Sequence, residues 1–335
     1  MQNILTASAS PHKKTSQTTK RIMADVFIAL LPAAVMGCVY FGYQAIIVLV
    51  LSLAACVATE FVWQFACRVK WKDMLKQFDG TSLVTGLLLA MCFNSSTPWY
   101  VVILSAVFAI GVVKMLFGGT GKNVVNPAIA GRVFALIAFQ RVMTAGYVLP
   151  NFTPESIASV TTGATPLTGL LNGETAGMPL LWQMFLGVGM SGTIGETCKL
   201  ALVAGYIYLV VRRVLDWKWP LITIIVCGLT HVALNGFDFG VFLPYTLSGG
   251  LFLGAIFMPT DYVTSPKTQL GCIVYYIILG AVIAVLRQAT QMEVVSFAIL
   301  LMNLVVPLID RFIRPRPFGY VKPEKKKADK KEATK

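Results

Sequence analysis

The sequence predicts an all-α integral membrane protein of about ten transmembrane helices, arranged as two inverted five-helix repeats with interrupted helices. Three observations carry that prediction. The 335 residues are 56% hydrophobic and 13% charged, with a mean hydropathy of +0.72, well outside the range of soluble domains. Apolar runs of the roughly 20 residues a bilayer requires recur along the chain, rich in Leu, Ala, Val and Ile rather than in the alternation of a barrel strand. Finally, GTSLVTGLLLAMCFNSSTPWY (80–100) and TLSGGLFLGAIFMPTDYVTSP (246–266) resemble each other: each is a short Gly- and Thr-containing apolar run ending in a polar stretch with proline.

The elements follow in order. Residues 1–22 are polar, with Lys13, Lys14, Lys20 and Arg21 ahead of the first apolar run, and read as a cytoplasmic segment with no cleavable signal. The first five hydrophobic segments lie at about 23–42, 45–67, 81–97, 99–117 and 123–140. A long loop, 141–194, follows, and its later part, MPLLWQMFLGVGM, reads as interfacial or partly inserted. The second five segments are at about 195–212, 218–235, 241–258, 269–287 and 293–312, and 313–335 is a basic cytoplasmic tail. The two similar runs are the third span of each half. Because five is odd, the halves run in opposite directions, as inverted repeats with broken helices do.

Charge sets the orientation. With the amino end inside, the inner loops hold Arg68, Lys70, Lys72, Lys76, Lys114, Lys122, Arg212, Arg213, Lys218 and Lys267, while the outer loops hold little beyond Arg141, Lys199 and Arg287. Both termini are then cytoplasmic, and 141–194 with its uncharged stretch TTGATPLTGL (161–170) is outside. The net charge of +13 lies in these short loops and the tail, not on a basic face with interleaved aromatics, which argues against nucleic acid as a partner. Seven cysteines lie in or beside apolar runs without a C-x-x-C pair, and the two histidines are too few for a cluster, so no metal site built by this chain alone is expected.

Ionisable groups inside spans are costly and therefore candidates for function. They are Asp25, Glu60, Arg132, Glu196, Lys199 and Asp261, with Asp79 at a span entrance. Glu60 and Asp261, near the inner surface, suit cation coordination or proton transfer, or an ion pair, for example with Arg132. Glu196 and Lys199 are three apart and suit a pair along a helix. FGGTGKNVVNPAIAGRVF (117–134) is the densest polar motif: its glycines allow a sharp turn, and Asn123 and Asn126 offer amides able to read the imide edge of a flavin or nucleobase. SGTIGETCKL (191–200) precedes a helix whose start faces outward, where an anion is favoured.

With these motifs in order, the chain resembles the NqrB/RnfD family, from FDGTSLVTGLLLA through FGGTGKNVVNPAIAGRVF, TGATPL and GTIGETCKL to GAIFMPTDYVTSP. The resemblance implies the RnfD branch, a membrane component of the Rnf ferredoxin:NAD oxidoreductase, rather than the NqrB branch of the sodium-pumping quinone reductase, since only about twenty polar residues precede the first span. It implies FMN esterified through its phosphate to the last residue of Thr162-Gly163-Ala164-Thr165, attached to Thr165 outside the membrane by a flavin transferase, with Gly192 and Glu196 nearby. The family motif often has an acidic residue where Ser159 stands. A noncovalent riboflavin is implied at Asn123 and Asn126, and an ion pathway for Na⁺ or H⁺ through Glu60 and Asp261.

The implied role is a flavin-carrying translocase component of the bacterial or archaeal cytoplasmic membrane. Partner proteins of the Rnf complex (RnfA, RnfB, RnfC, RnfE and RnfG) would supply the ferredoxin and NAD chemistry, for which this chain has no complete active site. The competing class is a stand-alone channel similar to urea or ammonium channels, which would need neither Thr165 nor flavin.

Overall fold

A computed structural model of the chain describes residues 18–144, 147–148, 162–163, 166–171, 180–290 and 293–314. These are mostly helical. Helix α1 (Thr19–Ala66) runs 48 residues and starts at Thr18, whose hydroxyl accepts from the Arg21 N–H. The expected segments 23–42 and 45–67 are two helices that fold back on each other, since Ile22 and Met23 line the same cleft as Lys114, which bonds Glu60, and the break between them is at Gly42, where φ is +67° and ψ is −152°. Glycine alone takes that conformation without strain.

After the short α2 (Trp71–Gln77) come α3 (Thr81–Met91), α4 (Trp99–Val107) with a π-helical continuation (Phe108–Met115), α5 (Pro127–Ala138) and α6 (Gln140–Met143). Within the long connection, β1 (Tyr147–Val148) pairs antiparallel with β2 (Thr162–Gly163), setting Tyr147 opposite Gly163. Two short helices, α7 (Pro166–Leu171) and α8 (Leu181–Leu186), precede α9 (Lys199–Val211), α10 (Lys218–Leu234), α11 (Phe242–Leu247), α12 (Leu251–Phe257), α13 (Gln269–Thr290) and α14 (Val295–Phe312). The start of α8 exposes Leu180, Leu181 and Trp182 while burying Met184, as an interfacial segment does.

One apolar core joins the two halves. Helix α1 packs along α3, α4 and α9, α10 packs along α13, and α5 bridges to α14. Small residues permit the closest approaches. A Cβ on Gly205 of α9 would collide with the Ala29 carbonyl oxygen, and one on Gly86 of α3 would sit 3.1 Å from the Leu53 Cα.

By length and composition α1, α13 and α14 are each able to cross a membrane, and the bent α11–α12 pair makes a fourth candidate. The other apolar helices are shorter than the expected spans, and the reason is visible at their ends. Helix α3 has 11 residues and stops at Met91, although Cys92, Phe93, Asn94 and Ser95 remain buried. Helices α11 and α12 are bent by 70°, and the backbone after Phe257 is again non-helical. The second run is thus broken inside as well as at its end, which its likeness to the first did not predict.

Buried backbone groups freed by such breaks need partners. At the end of α3, Ile194 N–H donates to Phe93 O (3.0 Å) and Gly195 N–H donates to Met91 O (2.8 Å). At the end of α12, Asn126 Nδ2 donates to Met258 O at 3.0 Å. The stretch before α9 closes one break and the stretch before α5 closes the other.

Three basic residues that charge counting assigns to loops are buried. Lys114 is 3% exposed, Lys199 2% and Arg287 0%. Lys114 lies on the π-helical turn and points into the protein, while Arg287 is held by Glu293. Their place at the ends of apolar runs looks the same in sequence whether the side chain turns to water or to a buried carboxylate.

Candidate functional site

A cleft lies where α1, α3, α5, α9 and α12 meet, with about 890 Å³ of empty space including its open mouth. Most of its wall is apolar, from Val84, Leu88, Leu209, Leu215 and Phe257, and its polar groups come from Thr81, Lys114, Thr120, Asn123, Asn126 and Asp261. An apolar slot with a few convergent polar groups suits a flat, amphipathic ring system. The structure thus brings together Asn123, Asn126 and Asp261, which the sequence marks out for separate reasons.

The glycine-rich turn ahead of α5 shapes one wall. Gly118, Gly119 and Gly121 all have positive φ, so the chain doubles back before the asparagines. Asn126 caps α5: its Oδ1 accepts from the Ala128 N–H at 3.0 Å while its Nδ2 holds Met258 O. Asn123 Nδ2 donates to Val125 O at 3.0 Å. Asp261 Oδ1 accepts from the Val263 N–H at 3.4 Å, in the connection after α12.

A buried polar cluster adjoins the cleft through Thr81 and Lys114. Lys114 Nζ lies 3.2 Å from Glu60 Oε2, 3.0 Å from Ser82 Oγ and 2.5 Å from Thr81 Oγ1. Ser82 donates to the same Glu60 oxygen. Thr81 in turn donates its hydroxyl and its N–H to Asp79 Oδ1, at 2.6 and 3.0 Å. Burial works against the charged form of Asp79, but hydrogen bonds from Thr81 and Thr120 and the nearby Lys114 ammonium outweigh it and hold the carboxyl below its ordinary range. Glu60 is therefore paired with Lys114, not with Arg132. Sequence reading missed Lys114; the signal was a lysine on the last turn of FAIGVVKML, a run otherwise free of charge. The π-helical turn that carries it, where Leu116 N–H reaches back to Gly111 O, is a feature that concentrates at functional sites.

Toward the other end of α3 lies a second group of buried charges. Glu196 Oε1 accepts from the Thr193 N–H at 2.9 Å, and the carboxylate lines two small cavities of about 270 and 260 Å³. One is bounded by Ser191, Gly192, Thr197, Lys199, Ser248 and Gly249; the other by Cys92, Arg132, Thr193, Gly250, Glu293 and Ser296. Arg287 donates to both Glu293 oxygens (3.0 and 3.2 Å) and to Tyr245 O (3.2 Å). Among the described residues no ion pair within 4.0 Å joins Glu196 to Lys199, although they lie three apart as a helical pair would. Helix α9 begins only at Lys199, so Glu196 belongs to the stretch that precedes it. Asp25, another span candidate, pairs with Arg212 at 3.1 Å.

Thr165 and Ala164 lie outside the described residues. Thr162 and Gly163 form β2, and α7, which starts at Pro166, rests on α11 through Leu167, Leu170 and Tyr245, whose hydroxyl donates to Leu170 O at 3.2 Å. Beside it His231 stacks on Tyr245 with ring centroids 4.3 Å apart, a pair with no signal in the sequence beyond a histidine in an apolar helix.

Residues 6–319 match the profile of the NQR2, RnfD, RnfE family. The chain belongs to that family. It is 38% identical to the D subunit of the Na⁺-translocating ferredoxin:NAD⁺ oxidoreductase complex of Acetobacterium woodii, over 96% of this chain and 97% of that one. It is also 38% identical to the D subunit of the proton-translocating ferredoxin:NAD⁺ oxidoreductase complex of Clostridium ljungdahlii, over 95% and 97%. To the D subunit of the ion-translocating oxidoreductase complex of Stutzerimonas stutzeri it is 36% identical, over 89% and 92%. The NQR2, RnfD, RnfE assignment thus holds over nearly the full length, and these three relatives are named as subunits of ion-translocating oxidoreductase complexes.

Proposed function

We propose that this chain is the RnfD component of an Rnf-type complex and passes electrons across the cytoplasmic membrane between two flavins, with FMN esterified to Thr165 on the outer side and riboflavin in the inner cleft. The observation that carries the reading is the cleft itself: about 890 Å³ including its open mouth, mainly apolar, with Asn123, Asn126, Asp261, Thr81 and Lys114 among its lining. An isoalloxazine has an apolar benzenoid end and an imide edge of alternating donors and acceptors, and such a wall suits both. When bound, the flavin supplies one-electron chemistry. The chain's own part is to exclude water from the ring and to present polar groups to its edge.

In this reading the ten apolar segments are ten spans in two inverted repeats, with both ends inside and 141–194 outside. The crossed closing of the two helix breaks supports the repeat, since each break is completed by the stretch that leads into a helix of the other half. The names of the relatives support membership in a multi-subunit complex; in this reading RnfA, RnfB, RnfC, RnfE and RnfG supply ferredoxin and NAD chemistry, and attachment at Thr165 requires a flavin transferase. Na⁺ or H⁺ movement is coupled through Asp261 at the cleft and through Glu60, whose charge is balanced by Lys114.

The test is a content assay on the purified protein. Asn123→Ala with Asn126→Ala is expected to deplete acid-extractable riboflavin while covalent flavin stays. Unchanged riboflavin would place that cofactor elsewhere.

A further inference from the structure

The sequence of α2, WKDMLKQ, sets apolar and basic residues at helical spacing. Trp71, Met74 and Phe78 fall on one stripe, and that stripe fixes α2 against α1. Met74 is 1% exposed, and Trp71 and Phe78 both stack on Phe61, with ring centroids 6.0 and 5.6 Å away. Beyond that contact the edge stays open: Trp71 is 66% exposed, and Leu75, four residues on, 54%. Phe65, one turn past Phe61, is 76% exposed. Lys72 and Lys76, also four apart, border the Trp71–Leu75 edge, while Asp73 lies on the far side of the helix from Trp71.

The corner is strongly basic. Arg68, Lys70, Lys72 and Lys76 are all exposed, and among the described residues none has an ion pair within 4.0 Å. Lys20 joins them from the start of α1, where its Nζ donates to Lys76 O at 2.9 Å. Against these charges residues 68–76 hold one carboxylate, Asp73, and Asp79 is turned to Thr81. Depth adds a second argument. The arm of α1 beyond Gly42, residues 43–66, has 24 helical residues, and at ~1.5 Å each it is ~36 Å long against ~30 Å of bilayer hydrocarbon. Its end therefore stands at headgroup level, and α2 with it. A tryptophan and a leucine edged by lysines at that level suit a lipid, with the ring among the upper acyl chains and the ammoniums at the phosphates. A protein partner fits less well, since lysine is depleted from protein interfaces.

We propose that the corner between α1 and α2 is a binding surface for an anionic phospholipid. Lys72 and Lys76 hold the phosphate oxygens, and the acyl chains lie on Trp71, Leu75 and Phe65. Because Lys20 ties the start of α1 to the end of α2, and Ile22 and Met23 line the inner cleft, a lipid held here braces the mouth of that cleft. Placing it in the inner leaflet rests on the orientation proposed above; the preference for an anionic headgroup does not.

The test uses the full chain in phosphatidylcholine vesicles with a small fraction of phosphatidylglycerol, one lipid or the other carrying bromine on its acyl chains to quench nearby tryptophan. The difference between the wild type and Trp71→Phe isolates the Trp71 signal. Mole for mole, brominated phosphatidylglycerol is expected to quench it more than brominated phosphatidylcholine. Lys72→Gln with Lys76→Gln is expected to cut that preference about fivefold or more, and Lys72→Arg with Lys76→Arg to keep it. Both leaflets carry the lipid, so the result does not depend on the orientation of the chain. Equal quenching by the two lipids in the wild type overturns the proposal, and so does an unchanged preference in the glutamine variant. Loss of Trp71 quenching by either lipid in the complete complex assigns the face to a protein partner and overturns it too.

Discussion

Lys114 Nζ lies 3.2 Å from Glu60 Oε2, and each side chain is at most 5% exposed. Neither charge is stable there alone. Removing one partner of a buried pair typically costs about 3–5 kcal/mol, while replacing both with apolar groups of similar volume is far less harmful. Glu60→Gln or Lys114→Met should each lower the thermal stability of the detergent-solubilised protein by that order, and the double variant by less than their sum. Additive losses would show that the pair is not coupled.

Asn126 holds two elements with one side chain. It caps α5 through the Ala128 N–H and clamps the end of α12 through Met258 O. Asn126→Ala should therefore destabilise the protein by about 1–3 kcal/mol through the lost cap and the stranded carbonyl. Asn126→Asp keeps the cap and loses the clamp, and should fall between the wild type and Asn126→Ala in a denaturation series.

Gly195 lies where the stretch before α9 crosses the end of α3. A Cβ there would stand 2.5 Å from Met91 Cβ and 3.0 Å from Met91 O. Gly195→Ala must push these backbones apart, and the expected loss is about 1–3 kcal/mol. Gly119→Ala meets no atom within 4 Å and tests strain alone, since Gly119 has φ of +90°.

The carboxyl of Asp79 sits below its ordinary range because Thr81 and Thr120 hydrogen-bond its charged form and Lys114 lies near, against the opposing effect of burial. A depressed folded value means that its contribution is fully present above the unfolded value of about 4 and is lost as pH falls through the folded one. Asp79→Asn should flatten the acid limb of a stability–pH curve below about pH 4 and leave its shape near neutrality unchanged. An acid limb identical to the wild type's would remove Asp79 from the cluster.

Much of this arrangement was legible in the sequence. Apolar runs of bilayer length marked the helices, and the Gly- and Pro-punctuated ends of 80–100 and 246–266 marked helices that stop inside the protein. Asn123, Asn126 and Asp261 were singled out by polarity in an apolar chain, and they line one cleft. What sequence could not supply was direction. Lys114, Lys199 and Arg287 sit at the ends of apolar runs, and only the packing of α1, α3 and α13 decides that each turns inward. The partnership of Glu60 with Lys114, 54 residues apart, depends on a π-helical turn that no spacing rule announces.

The central claim is that this chain carries a flavin through Thr165, and a denaturing gel of the protein coexpressed with a flavin transferase tests it most directly. The wild-type band is predicted to fluoresce as flavin and the Thr165→Ala band to be dark. A dark wild-type band, or a Thr165→Ala band as bright as the wild type, would contradict it.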